Sequence, residues 1–524
     1  MKNTITNLLE AFFAVLSTAI FANAQNGTIV TTNANAEVTY AIKLGTTPPV
    51  RHLLPMPSQT EEKKQARKKN RKVPPNFPGR RGQYISENPH ALPNGPDVLR
   101  QTNDSRGGGG LVVDPLVNIV GLSFGGSPAD PTGDVGADHY MQAINATDIG
   151  VYTKAGVLVQ DFAANTIWNS IGQSSAGDPI VLYDQEAERW IMTEFANGNA
   201  LLVAISASSD PLGSWDAYSF GTPNFPDYPK YGVWNNAYSV TTNEQGPGSS
   251  PSYFINRDEL LAGASTVSIQ RIVLPGIGSG PGFQTDTPLD WTGLAAPPSG
   301  TGPMVVSLVD DSWGGGLQDQ VDIYTFNIDW DVPANTTYDT ETVYPSAFDT
   351  NPCSVSGFGF SCVPQAGNGG GLDAIPEIIM NQAHYRNFGS HESMVFNFIT
   401  DADGNDLSGI RWVELRRTGG GAWTVYQEGT YAPNDGLDRY MAGICMDAAG
   451  NIALAFNASS ENEFVSMRFT GRLASDPLGT MTVEETIVAD GTNTINSGSR
   501  FGDYGHMSVD PTNGRTFWYT GEYG

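Results

Sequence analysis

The pentapeptide SDPLG occurs twice in this chain, at positions 209–213 and 475–479. Each copy ends a similar unit, in which Asp184 or Asp447 precedes one β-type run and a second run follows. The first runs are WIMTEF at 190–195 and NIALAF at 451–456. This repetition predicts a fold of equivalent β-sheet units. The interval of 266 residues predicts five steps of about 50 residues each.

The rest of the chain from Leu111 onward has the same character. Short β-type runs, such as MVVSLV at 304–309 and VDIYTF at 321–326, alternate with clusters of Gly, Asp, Asn and Pro. A body of this length is too long for one sandwich, and radial repetition protects sheet edges. We therefore predict an all-β fold: a single β-propeller over 111–524 with six to eight blades, seven being preferred.

The N-terminal region has a different composition. Residues 1–24 predict a signal peptide, because an apolar stretch at 11–21 precedes the small residues ANA at 22–24. Residues 25–110 are basic and rich in Pro and Gly, with a basic run at 63–72, and predict a disordered leader or linker. A binding patch and a protease-sensitive pro-segment are the alternatives for the basic run.

Charge limits the partners of the body. The chain has a formal net charge of −27, and half of its 28 Lys and Arg lie before residue 107, together with only 7 of its 55 acids. The remaining acidic surface repels polyphosphate, so we expect no nucleic-acid partner. It is compatible with divalent cations and a saline medium. No other stretch is apolar for long enough to span a membrane.

The three cysteines do not form a disulfide framework. Cys353 and Cys362 enclose a Gly- and Ser-rich loop and predict one disulfide in an oxidising compartment. Cys445 lies between Ile444 and Met446 and predicts a buried, free thiol.

From about Pro131 to its end, the chain resembles a group of exported bacterial proteins, uncharacterised propeller-like modules of large secreted and surface proteins. The matching stretches are DPTGDVGADHY (130–140), DPIVLYD (178–184), DYPKYGVW (227–234), YRNFGSHE (385–392), GIRW (409–412), GTYAP (429–433), RFGDY (500–504) and FWY (517–519). The resemblance implies a propeller in a secreted or cell-surface bacterial protein. It brings no established catalytic residues.

Members of that group continue past the position of Glu522 with a further aromatic strand. Two explanations stay open for this chain. Either it is a truncated piece, or the run LVVDPLVNIV at 111–120 completes the last blade. The second explanation predicts that 111–124 is ordered.

Charged residues concentrate in a few places of a cation-poor body, and we predict that they line one cleft at the ring axis. Arg386 would bind a carboxylate and Glu392 would act as acid, base or metal ligand. The alternative makes Arg386 an inter-blade ion pair and His391 a structural histidine. The predicted ligand-binding residues are Arg386, His391, Glu392, Arg439, Arg500, Asp503 and Tyr504.

A short oxygen-rich loop offers a candidate metal site. Asp401, Asp403 and Asn405 alternate around Gly404, a pattern that suits Ca²⁺. A polar hairpin turn explains the same residues. Apart from this possible Ca²⁺, we predict no cofactor.

Two functions are compatible with these patterns. The first is an exported, non-catalytic, monomeric binding or surface module that recognises extracellular carbohydrate or protein through aromatic and polar loops. The alternative is a glycoside-active, sialidase-like hydrolase in which Arg386, Arg439 and Arg500 surround one anionic group. No catalytic residue is assigned.

Overall fold

The structure is a computed structural model, and residue placements are described for most of the chain. The described residues are 29–53, 95–103, 110–123, 128–145, 148–244, 249–275, 283, 285–313, 318–353, 361–367, 369–496 and 498–524. The predicted signal peptide and the basic run at 63–72 lie outside these ranges. No helix within them is long and apolar enough to cross a bilayer.

Six antiparallel four-stranded sheets, the blades, follow one another along the chain. Blade 1 contains β4 (Thr132–Val135), β5 (His139–Ala143), β6 (Asp148–Thr153) and β7 (Leu158–Ala163). Blade 2 contains β8 (Ile180–Asp184), β9 (Arg189–Phe195), β10 (Ala200–Ser206) and β11 (Trp215–Gly221). Blade 3 contains β12 (Pro226–Val233), β13 (Ala237–Glu244), β14 (Ser249–Asn256) and β15 (Thr266–Pro275).

The second half of the chain continues the pattern. Blade 4 contains β16 (Thr287–Trp291), β17 (Met304–Val309), β18 (Gln320–Asn327) and β19 (Thr337–Val343). Blade 5 contains β20 (Ala383–Asn387), β21 (Glu392–Asp401), β22 (Ser408–Arg417) and β23 (Thr424–Tyr431). Blade 6 contains β24 (Asp438–Met446), β25 (Ile452–Ser460), β26 (Glu463–Arg472) and β27 (Val483–Ala489). Blade 7 contains β28 (His506–Val509) and β29 (Phe517–Thr520).

The first strands of the blades form a closed ring. They are neighbours in the order β4, β8, β12, β16, β20, β24 and β28, and β28 contacts β4. The predicted all-β propeller is therefore confirmed, with seven blades in the described part of the chain. Within the described ranges, helices are few and short: α1 (Asn165–Asn169), α2 (Arg257–Leu261) and three 3-10 turns at Val50–His52, Asp311–Trp313 and Pro333–Asn335.

Both faces of a blade are covered by its neighbours, so the strands near the axis carry few exposed positions. Every residue of β8 and β21 is buried. Between blades 1 and 2, three tryptophans fill one core cluster: Trp168, Trp190 and Trp215. This two-sided burial explains why apolar runs here are nearly continuous instead of alternating.

The repeated unit is present in the structure, but the predicted number of units between its two copies is wrong. Each SDPLG turn lies between the third and fourth strands of its blade, before β11 in blade 2 and before β27 in blade 6. The two copies are thus four blades apart and not five. Long connections, such as the 39 residues between Val343 and Ala383, raise the mean length of a step.

Part of the predicted linker is folded. β1 (Val30–Asn33) pairs with the outer strand of blade 4, and β2 (Glu37–Thr46) pairs with β11 on one side and β15 on the other. β3 (Arg100–Gln101) pairs with β23. The prediction of a disordered 25–110 is therefore wrong for these strands. Their backbone groups complete the exposed edges of four blades, a gain that composition does not reveal.

Residues 110–123 are ordered, but they do not complete blade 7. Leu111 forms a bridge to Val483 on the outer strand of blade 6, and the Asn118 side chain donates to the Val488 carbonyl, 2.8 Å away. Leu122 then donates its N–H to Gln142 in blade 1. The segment therefore spans the outside of the ring from blade 6 to blade 1.

The predicted disulfide is present. Cys353 and Cys362 are bonded, and their Cα atoms are 5.4 Å apart. Cys445 is buried and free, as its apolar neighbours indicate.

Candidate functional site

The ring has two distinct faces, set by the direction of the first strands. Tyr504, just before β28, donates to Asp178, just before β8, over 2.9 Å. Arg386, near the end of β20, donates to the carbonyl of Met446 at the end of β24. We call the face with Tyr504 and Asp178 the N-terminal face, and the face with Arg386 and Met446 the C-terminal face. The predicted cleft residues are divided between them.

Arg386 lies at the C-terminal face and is 7% exposed. Its Nε donates to the Met446 carbonyl oxygen, 3.1 Å away, and burial lowers the pKa of its guanidinium. Gly293, with φ +85°, packs so closely on the guanidinium that any Cβ there would collide with it. The predicted inter-blade position is thus observed, with a main-chain oxygen as partner.

Glu392 and His391 have local structural partners. Glu392 accepts hydrogen bonds from the Tyr385 hydroxyl at 2.7 Å and from Arg417 at 2.6 Å, across β20, β21 and β22. His391 stacks on Phe388, with ring centroids 4.8 Å apart, in the hairpin between β20 and β21. Both residues therefore stabilise blade 5.

Arg439 is fully buried within blade 6. It binds Glu485 on β27 at 2.8 Å and Asp435, in the connection from blade 5, at 2.7 Å. Arg468 also binds Glu485, at 3.0 Å. This network fastens the first strand of the blade to its outermost strand.

Arg500, Asp503 and Tyr504 do lie together, at the N-terminal face. Arg500 forms an ion pair with Asp503, and its guanidinium carbon lies 4.9 Å from the centroid of the Phe283 ring. Tyr504 stacks on Tyr228 at 4.7 Å, and burial raises its pKa well above the ordinary value. The structure thus joins three of the seven predicted residues and places Arg386, His391, Glu392 and Arg439 elsewhere.

The candidate calcium loop is a hairpin turn closed by its own carboxylates. Asp401 accepts N–H groups from Asp403 at 3.2 Å and Gly404 at 2.8 Å, and Asp403 accepts from Asn405 at 2.8 Å. These contacts favour the polar-turn interpretation. Calcium binding at Asp401, Asp403 and Asn405 stays a prediction.

A second acidic group lies in blade 4. Asp310, Asp311 and Asp319 each offer a carboxylate oxygen within 4.8 Å of the others. The N–H groups of Thr350 and Phe348 already donate to Asp310 and Asp319, at 2.7 and 2.9 Å. These carboxylates, in the loop that follows β17, therefore anchor the connection that follows β19.

The ring axis holds two histidines outside the predicted ligand-binding set. His384 in blade 5 and His506 in blade 7 face each other with ring centroids 6.5 Å apart. His384 Nδ1 lies 3.8 Å from Asp290 Oδ2, and His506 Nε2 lies 2.7 Å from Gln382 Oε1. Burial lowers the pKa of His384 to about 3 and of His506 to about 4, so both rings are neutral at physiological pH.

A surface groove of about 610 Å³ lies between blades 3 and 4. The β12–β13 turn, the β16–β17 connection and the β18–β19 loop form its walls. Three buried polar atoms of its wall residues make no hydrogen bond within the described part of the chain: Asn235 Oδ1, Asn236 Oδ1 and Trp330 Nε1. We call it the blade 3–4 groove. Its sequence signal is the pair of asparagines after Trp234 and the stretch NIDWD at 327–331.

The walls of the groove are held in place from behind. Arg257 donates to the Asn235 carbonyl at 3.3 Å and is itself bound to Asp184 at 2.7 Å. The indole of Trp234 donates to the Thr301 carbonyl at 3.0 Å. The wall residues are thus held in a rigid frame, which lowers the entropic cost of binding.

Comparisons with known proteins give only distant similarity. No protein family and no curated protein matches the chain in sequence. Among solved structures, the WD40 domain of SCAP from fission yeast has 9% identity and a TM-score of 0.31, covering 70% of this chain and 78% of that one. An ulvan lyase has 12% identity and a TM-score of 0.30, covering 75% and 88%.

A third solved structure is the α-L-arabinanase of Penicillium chrysogenum complexed with arabinobiose. It has 11% identity and a TM-score of 0.30, covering 54% of this chain and 70% of that one. At such values the similarity carries no argument about function. The propeller assignment rests on the strand pairing itself.

Proposed function

We propose that this protein is an exported, non-catalytic carbohydrate-binding module whose ligand occupies the blade 3–4 groove. The observation that carries the proposal is the set of three unpaired polar atoms in the groove wall. Buried polar atoms without partners cost about 1–3 kcal/mol each, so a ligand that pairs with them gains free energy.

The type of these atoms indicates the type of ligand. Asn235 and Asn236 present hydrogen-bond acceptors, whereas the Trp330 indole presents a donor. A hydroxyl group both donates and accepts, so a polyhydroxylated ligand satisfies both kinds of atom. The half-buried Trp330 also offers apolar ring surface for a sugar.

The carboxylates of the groove do not favour catalysis. Asp329 accepts N–H groups from Asp331 at 3.0 Å and Val332 at 2.7 Å, and these bonds lower the pKa of its carboxyl. A glycosidase needs a carboxylic acid whose pKa is raised. Asp329 has the opposite property.

The sialidase-like alternative has no comparable support. It requires Arg386, Arg439 and Arg500 around one anion. Arg439 is bound to carboxylates of blade 6 and its preceding loop, and Arg500 is bound to Asp503 at the N-terminal face, whereas Arg386 lies at the opposite face. Three separate environments favour structural roles for Arg439 and Arg500.

Retention on immobilised polysaccharides tests the proposal. The panel contains uncharged and anionic polysaccharides, and Trp330→Ala and Asn236→Ala are compared with wild type and with Tyr40→Ala, a matched change at an exposed aromatic residue on β2. We expect wild type and Tyr40→Ala to bind at least one polysaccharide and the groove variants to lose retention. No new reducing ends should form. Equal retention of all variants, or release of reducing ends, would contradict the proposal.

A further inference from the structure

Arg386 is a buried cation that has no counter-ion within 4.0 Å among the residues that the structure describes. Its Nη2 is inaccessible to solvent and makes no hydrogen bond, and its one bonded nitrogen, Nε, meets a neutral carbonyl oxygen. Burying an unpaired charged group costs far more free energy than burying an unpaired neutral group.

The groups around Arg386 do not neutralise it. Burial raises the pKa of the Cys445 thiol to about 12, so this neighbour is uncharged at physiological pH. The charge of Asp447 acts on Arg386, but the two side chains form no ion pair. Both oxygens of Asp447 are taken by its own turn, through the N–H groups of Ala449 and Asn451 and the Asn451 amide.

Most other buried arginines of this chain are paired with carboxylates. Arg411, Arg439 and Arg468 each bind at least one carboxylate within 3.0 Å. In a chain with 55 acidic residues, a buried arginine could easily have had such a partner. Arg472 is also buried without an ion pair in the described part of the chain, but both of its terminal nitrogens donate, to the Gln427 side chain and to the Leu473 and Asp476 carbonyls. Arg386 Nη2 has no such partner among the described residues, so Arg386 differs from a buried arginine with a purely structural role.

We propose that Arg386 is the centre of an anion-binding site at the C-terminal face of the ring, and that its ligand is a small monovalent anion, a carboxylate or a halide. A guanidinium edge matches a carboxylate in bidentate geometry. The remaining exposure of 7% and the close approach of Gly293 restrict the ligand to a small size. Gln185, whose Oε1 accepts the N–H of Gly293 at 3.1 Å, borders the same position.

Thermal unfolding in different salts at constant ionic strength tests this site. Sodium formate and sodium bromide are compared with sodium fluoride for wild type, Arg386→Gln and Arg189→Gln. Arg189 is the matched control, because it lies at the start of β9, directly after the turn that follows β8, and its guanidinium donates to the main-chain carbonyls of Ala187 and Glu188. We expect formate or bromide to raise the Tm of wild type and Arg189→Gln by about 2–4 °C and to leave Arg386→Gln unchanged. The salt that raises the Tm more shows whether the site prefers a carboxylate or a halide.

Crystals of wild type soaked in bromide give an independent answer, which holds even when Arg386→Gln fails to fold. The site predicts an anomalous difference peak within hydrogen-bonding reach of the Arg386 guanidinium. Salt effects of equal size in all three proteins, together with an empty map at Arg386, would overturn the inference. Neither result bears on the blade 3–4 groove.

Discussion

The carboxylate of Asp97 lies 2.7 Å from the guanidinium of Arg411, and both side chains are fully buried although 314 residues separate them in the chain. Thr430 donates its hydroxyl to the same carboxylate at 2.7 Å. This pair fastens the N-terminal segment to β22 and β23 of blade 5. The segment before the ring is therefore an integral part of the fold at this point.

Removal of that carboxylate should be costly. Asp97→Asn leaves the Arg411 charge buried without its main partner, and we expect the free energy of unfolding to fall by about 3–5 kcal/mol. Urea denaturation measures the loss, with the largely exposed Asp114→Asn as control. A loss below about 1 kcal/mol would show that the pair is dispensable.

The fold was largely predictable, because turn residues and apolar runs repeat along the chain independently of long-range contacts. The SDPLG turns of blades 2 and 6 identified the repeating unit. The strand β2 was not predictable. Its alternating residues gain their value only from pairing with β11 and β15, which lie more than 150 residues away.

The candidate site was less predictable for a related reason. An arginine such as Arg439 attracts attention in a cation-poor sequence. In the structure it is buried, because it neutralises a carboxylate inside its blade. Groove residues such as Asn236 and Trp330 are ordinary types in a turn-rich chain. Their significance comes from which polar atoms stay unpaired, and that depends on how three loops meet.

Arg439 should matter for stability and not for binding. Arg439→Gln leaves Glu485 with Arg468 as its remaining arginine and removes the link to Asp435, so we expect a loss of about 3–5 kcal/mol in unfolding free energy. Polysaccharide retention of the folded variant should equal that of wild type. Weakened retention with unchanged stability would instead restore Arg439 as a ligand contact.

The axial histidines predict a loss of stability in acid. Burial lowers the pKa of His506 to about 4, from the ordinary 6.5, so the unfolded chain binds a proton that the folded chain does not. The contribution of this residue to the free energy of unfolding is fully present above pH 6.5. It falls by about 3 kcal/mol as the pH approaches 4.

His506→Gln isolates that contribution. Glutamine does not titrate and can still donate to Gln382. The difference in unfolding free energy between wild type and His506→Gln should therefore shift in favour of the variant between pH 7 and pH 4. Parallel pH profiles would show that the pKa of His506 is the same in the folded and the unfolded chain, and would contradict this prediction.

The central claim is that the blade 3–4 groove binds carbohydrate through Trp330 and its neighbouring asparagines. Calorimetric titration of wild type, Tyr40→Ala and Trp330→Ala with the same oligosaccharide, taken from the best-retained polysaccharide, measures this directly. We predict equal Kd values for wild type and Tyr40→Ala, and a Kd about tenfold or more higher for Trp330→Ala, since the ring and its indole N–H are both lost. An unchanged Kd in a folded Trp330→Ala protein would contradict the account.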